Sequence, residues 1–297
     1  MPLVADEAEP AARELLAGAS IEVAAGDLLA DAGAVRALGP GREVFIPWTP
    51  KLGTAELVGA TSRARELGLV PVPHLVARRI GSEAAARGLL EQLRRHGAES
   101  VLLVGGDVDE PAGPYACSLD LLRSGLLQAC GFSRAGIAGY PEGHPRIPAA
   151  TLRDDLQRKL EHARSAGLRV FVVSQFCFDG ALVARWAAGL RAAGVAVPLR
   201  AGVAGPTTVP RLLQLAVRCG IGNSLRSLKG RLGALARLAG THEPADVVHE
   251  LARARLAQPS LEPLAVHVFA FGGAAATARW LAGTSREAAG VRKMESG

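Results

Sequence analysis

Most of the short apolar runs in this chain end on a residue able to move a proton or hold a polar ligand. Glu22 closes the first run, Trp48 and Thr49 the second, and His74 the third. Gly105-Gly106-Asp107 follows the fourth, and Tyr140-Pro141-Glu142-Gly143-His144-Pro145 the fifth. Ser174-Gln175 ends the sixth and Gly202 the seventh. A carboxylate, an imidazole and an amide at such positions are the groups general acid–base chemistry and polar recognition need. Each also has a plainer reading. Glu22 caps a loop or pairs with an arginine, His74 and His144 are hydrogen-bonded loop histidines, and Asp107 stabilises a turn. Taken together they argue better than singly. Cys117, Cys130, Cys177 and Cys219 form no CxxC pair, so zinc is not expected. Buried thiols in a reducing cytosol are, with Cys177 read as core.

The elements that position these residues repeat. A helical segment ends in a glycine and a short apolar strand follows, at Gly68, Gly97, Gly131, Gly167 and Gly194. A glycine just past a helix adopts the left-handed C-cap without strain. The strands are apolar throughout rather than alternating, as in parallel strands buried on both faces. Units of roughly 30 residues imply βα repeats. Eight strands are expected, near Ser20–Ala24, Glu43–Pro47, Val70–His74, Val101–Gly105, Gly136–Gly139, Val170–Gln175, Pro198–Gly202 and Ala265–Phe269. Eight units favour a closed (β/α)8 (TIM) barrel of the α/β class, whose site lies at the C-terminal strand ends. No GxGxxG opens a helix after an early strand, which disfavours a Rossmann fold. One domain over 1–297 is expected, with extra helices between strands seven and eight, about 206–260.

The net charge of +6 and pI of about 9.6 invite a nucleic-acid reading. Only four of the 34 basic residues are lysine, the arginines are scattered, and aromatics are 4%. The basic surface reads as solvated, the partner as an anionic small molecule. No signal peptide or run of 18 apolar residues appears, so a cytoplasmic protein that does not span a membrane is expected.

The segment Ala138-Gly139-Tyr140-Pro141-Glu142-Gly143-His144-Pro145 resembles the YPE-x-HP motif of the methylenetetrahydrofolate reductases. Ser174-Gln175-Phe176-Cys177-Phe178-Asp179 is similar to their TQ-x-x-FD segment, and Pro73-His74-Leu75 to their PHL. Gly106-Asp107 with Tyr115 resembles their RGD loop, and Ile21-Glu22-Val23 their acid-bearing strand. The motifs run in family order along nearly the whole chain.

The resemblance implies NAD(P)H-dependent, FAD-mediated reduction of 5,10-methylenetetrahydrofolate, or the reverse in a demethylation route. It makes Glu22 the acid that protonates the departing nitrogen. Asp107 becomes the carboxylate that stabilises the developing cation, and Gln175 the amide that reads the pterin. His74, Gly106, Asp107, Ala138, Tyr140, His144 and Phe269 would hold the flavin. Lys159 or Arg164 would stand at the phosphate-facing lysine position. Folate and NADH or NADPH would use the flavin in turn, and a homo-oligomer is implied.

Gly105 replaces the family's arginine, Pro47 falls near its strand-two threonine, and Phe269-Ala270-Phe271-Gly272 departs from its last motif. These changes touch the phosphate and ribose side, so weak FAD binding is one expectation. A flavin-free or non-redox folate barrel, and a non-catalytic barrel subunit, are the alternatives. Gly220–Lys229, with Ser224 as N-cap and Arg226 beside Lys229, reads either as an anion site or as a capped surface helix.

Overall fold

The computed structural model describes residues 5–218, 241–242 and 244–283. The apolar runs become parallel strands β1 (Ser20–Glu22), β2 (Glu43–Ile46), β3 (Val70–Val76), β4 (Val101–Val104), β5 (Arg134–Gly139), β6 (Arg169–Cys177) and β7 (Leu199–Ala204). A two-stranded antiparallel sheet, β8 (Thr207–Thr208) with β9 (Thr241–His242), follows, and β10 (Leu264–Phe269) is the eighth barrel strand. The barrel closes in the order β1-β10-β7-β6-β5-β4-β3-β2, with Glu22 beside Phe269 and Phe45. This is the expected (β/α)8 architecture.

The helices are α1 (Ala5–Ala17), α2 (Ala25–Ala30), α3 (Ala32–Arg36), α4 (Thr54–Glu66), α5 (Glu83–Arg95), α6 (Ser118–Arg123), α7 (Leu126–Ala129), α8 (Ala149–Ser165) and α9 (Gly180–Ala192), then α10 (Val209–Arg218) and α11 (Ala245–Ala257). Their starts are set by local chemistry. The Ser82 hydroxyl accepts from Ala85 N at the head of α5, and the Asp179 carboxylate accepts from Leu182 N at the head of α9. Their ends follow the glycine rule: Gly68, Gly97, Gly131, Gly167 and Gly194 all have positive φ. Gly97 is required twice over, since a Cβ there would also stand 2.8 Å from Arg65.

α10 and α11 occupy the long β7–β10 connection; the Gly220–Lys229 segment lies outside the described residues. Strands β3, β6 and β7 run further than the sequence suggests. β6 also shifts register against β7 between Val173 and Phe176.

The barrel interior is layered. At the N-terminal end Glu43 pairs with both Arg134 and Arg200. The Phe171 ring lies between these cations, 4.4 Å from Arg134 and 4.7 Å from Arg200. Phe45, Val72, Leu102, Phe171 and Val173 fill the middle. Fully burying a phenylalanine such as Phe45 stabilises by about 1.5–3 kcal/mol. Glu22 and His74 come above this plug, at the end where the notable polar residues cluster.

Candidate active site

Glu22 is the last residue of β1 and its side chain is largely buried. Its Oε2 stands 3.4 Å from His74 Nε2 and 3.9 Å from His267 Nε2. His74 is 9% exposed and His267 0%, and neither Nε2 has a hydrogen-bond partner. Burial pushes the Glu22 carboxyl up from its ordinary 4.5, and the nearby His74 offsets this only in part. Burial likewise pulls His74 below 6.5, against the pull of Glu22. For His267, burial and then the Arg200 charge lower the value to about 3. All three shifts run toward the neutral forms, with burial the largest cause of each. His267 Nδ1 shares a 2.8 Å hydrogen bond with Ser20 Oγ, which fixes the ring. The Phe45 ring meets it edge-on at 4.5 Å.

His267 and Ser20 escaped the sequence reading. A histidine within the apolar run Leu264–Phe269 was the available signal, but only the β1–β10 register brings it to Glu22.

Asp107 sits exposed on the loop after β4. The preceding Gly106 has φ 103°, and a Cβ there would lie 2.7 Å from Val76 Cγ1, so glycine alone fits. The arginine expected at 105 is glycine, yet two arginines reach this region from the end of β3. Arg78 donates to the carbonyls of Ala116 at 2.7 Å and Val108 at 3.0 Å. Its own N–H donates to Gly105 O, and its carbonyl accepts from Ala112 N. Arg79 lies 4.5 Å over Trp48, donates to the carbonyls of Trp48 and Leu52, and feels the Asp107 charge. Arg146 donates to the Asp107 carbonyl at 3.4 Å.

Gln175 lies where β6 shifts register. Its Oε1 accepts from Phe176 N at 3.2 Å, leaving the amide NH2 as a donor. Ser174 Oγ donates to Gln175 O and accepts from Gly202 N, which holds the irregularity in place. Phe269 joins Phe176 and Phe271 in an aromatic group, with ring centroids 5.6 and 5.5 Å away.

Ala138 and Tyr140 line a cavity of about 320 Å³ together with Glu142, Arg153, Asp155 and Trp186. Burial raises the Tyr140 hydroxyl above 10, helped by the Asp155 charge. His144 meets the Tyr140 ring edge-on at 5.4 Å, and its Nδ1 accepts from Arg146 N. Lys159 is buried and paired with Asp155 one turn back. Arg164 is exposed in the last turn of α8, close to the N-terminal end of β6 and so at the far face of the barrel. The structure thus gathers Glu22 and His74 tightly and sets Ala138, Tyr140 and His144 side by side. It leaves Arg164 away from both groups. Arg153 and Asp155, which the sequence did not single out, join Glu142 as the charged residues at the cavity.

Among the described residues no group of three or more His, Cys, Asp or Glu could hold a metal ion. No described helix is long and apolar enough to cross a membrane.

A closed parallel barrel with a buried carboxyl and two histidines gathered at its C-terminal strand ends defines a (β/α)8 protein with a candidate site at that mouth. The methylenetetrahydrofolate reductase family model matches residues 51–224, more than half of the chain, and the chain belongs to that family. Methylenetetrahydrofolate reductase 2 of Saccharomyces cerevisiae is 28% identical over 134 residues. That match takes in 43% of this chain and spans only 22% of the yeast protein's length. An uncharacterized Clostridium thermocellum protein that binds two copies of 5-methyl-5,6,7,8-tetrahydrofolic acid shares the fold, with a TM-score of 0.52 at 11% identity. That likeness covers 86% of this chain and 91% of the other. Glu22 and Phe269 lie outside the matched span and stand on their geometry.

Proposed function

We propose that this chain, as one catalytic domain, reduces 5,10-methylenetetrahydrofolate to 5-methyltetrahydrofolate with NADH or NADPH, through a flavin. Family membership supports the substrate class. The observation that carries the chemistry is the buried Glu22 carboxyl, held toward its protonated form beside neutral His74 and His267.

Opening the five-membered ring needs a proton on the departing nitrogen, and Glu22, whose burial shifts it toward the protonated form, is the group placed to give it. The cationic carbon centre that develops is stabilised by a fixed negative charge, the role of Asp107. Arg78 holds its loop through the Val108 and Ala116 carbonyls, and the Arg79 charge faces it. With its Oε1 engaged, Gln175 offers its NH2 to a carbonyl of the pterin.

The residues at the strand ends fit part of a flavin nucleotide. His74 Nε2 is a buried polar atom in want of a partner, and the neighbouring cavity combines apolar walls, the Tyr140 hydroxyl and the cation Arg153. His74, Ala138, Tyr140 and His144 would hold the ring system, with Gly106 and Asp107 beside it and Phe269 flanking. Arg153 replaces Lys159 and Arg164 as our candidate for the phosphates, since Lys159 is committed to Asp155 and Arg164 is remote. Weak FAD affinity is the expected consequence. When bound, the flavin supplies the hydride.

The test is substrate-dependent NADH or NADPH oxidation by the purified protein, with and without added FAD, and 5-methyltetrahydrofolate measured as product. Turnover that rises with FAD supports the proposal. Product formed equally well in rigorously flavin-free protein would remove the flavin. No product under any condition would remove the reductase reading.

A further inference from the structure

At the opposite end of the barrel a second cavity, of about 300 Å³, opens below β3–β6. Its wall brings together Arg94 from the last turn of α5, Arg134 from the start of β5 and Arg169 from the start of β6. Ser100 and Ser133, the residues just before β4 and β5, complete the polar lining. The volume is at the lower end of the range for small-molecule sites.

The cations are held in place rather than left to wave in solvent. Arg94 donates to Ala98 O at 3.2 Å and lies 6.0 Å over Phe132. Arg134 is pinned by Glu43 and by the Phe171 face. Arg169 donates to Ser133 Oγ at 3.4 Å. Each guanidinium has five N–H donors, so most of each fork is left for something else. Glu99 is the acidic residue of the lining. The decisive atom is Ser100 Oγ: the residue is 1% exposed, borders the cavity, and its hydroxyl has no hydrogen-bond partner. A buried hydroxyl without a partner is unfavourable, and an acceptor in the cavity would relieve it.

We infer that the N-terminal mouth of the barrel is a binding site for a tetrahedral oxyanion, a phosphate or the phosphate group of a small metabolite. Three guanidinium forks and two hydroxyls from separate elements surround the space. That arrangement suits three or four acceptor oxygens better than the two of a planar carboxylate. The site stands at the far face from Glu22 and does not depend on the reaction proposed there.

Isothermal titration calorimetry of the full chain with inorganic phosphate, at pH 7 and constant ionic strength set with chloride, tests it. One saturable site is expected, weakened at least tenfold in Arg94→Ala and in Arg169→Ala. Both side chains are exposed, so both variants should fold. Ser100→Val, which removes the hydroxyl without touching a charge, should show the same loss. Glycerol phosphate binding tighter than inorganic phosphate would identify a phosphate ester as the occupant; the reverse order would identify free phosphate. Acetate competing as well as phosphate overturns the tetrahedral assignment. No saturable heat in the wild type, or unchanged affinity in all three variants, overturns the site.

Discussion

Glu22 illustrates how one carboxylate acquires a function from its surroundings. The side chain stands over the aromatic plug of the barrel, with two imidazoles as its polar neighbours, and desolvation outweighs the help that His74 gives. A group with a raised value is protonated below that value and loses its proton as pH rises through it. The rate of folate reduction should therefore fall on a basic limb that lies above 4.5. A pH profile of kcat/KM for folate checks this. The limb should vanish from the residual activity of Glu22→Gln, and its persistence there would assign it to another group. Glu22 and His74 were legible because each ends an apolar run. His267 was not, because its meeting with Glu22 and Ser20 depends on pairing between the first and last strands.

At the scale of elements, the loop after β4 is held from outside itself. The Arg78 side chain donates to two carbonyls that follow Asp107, those of Val108 and Ala116, and its backbone N–H to Gly105 O before it, while Gly106 lets the chain pass close over Val76. Arg78→Ala should lower kcat for folate reduction at least tenfold while changing the KM for NADH less than twofold, as steady-state kinetics would show. Arg78→Lys, which keeps the charge but not the fork, should rescue only in part. Equal losses in both substrates' parameters would mean that Arg78 merely supports the fold. The repeating strands and their glycine stops were readable because they are local patterns of burial and backbone conformation. Two features were not. The register shift in β6 comes from the Ser174 hydroxyl bridging Gln175 and Gly202. The unsuitability of Arg164 follows from the length of α8, which carries its last turn to the other end of the barrel.

The whole molecule carries a polar network at each end of an apolar barrel. His267, His74 and Glu43 all have lowered values in the folded state; for Glu43, burial opposes the shift but Arg200 and Arg134 outweigh it. Groups of this kind contribute stability that is complete above their unfolded values and is lost as pH falls through the folded ones. For His267 that window runs from 6.5 down to about 3. Glu22 has the opposite sign and destabilises as pH rises through its own value. Urea unfolding followed from pH 7 to pH 4 should show a midpoint that falls steadily. A flat midpoint across that range in Glu22→Gln, where the opposing group is gone, would mean the histidines are not buried as described. The closed barrel was foreseeable from the count of βα units, whereas the charged floor of Glu43, Arg134 and Arg200 was not. Those residues lie far apart in sequence and meet only because closure brings their strand ends together.

The central claim is that Glu22 delivers the proton in folate reduction, and the half-reactions of Glu22→Gln, followed anaerobically by flavin absorbance with FAD added, test it most directly. Bleaching by NADH should proceed near the wild-type rate. Reoxidation by methylenetetrahydrofolate should slow by about 10²–10⁴-fold, the usual contribution of a positioned acid. Reoxidation at the wild-type rate would contradict the account.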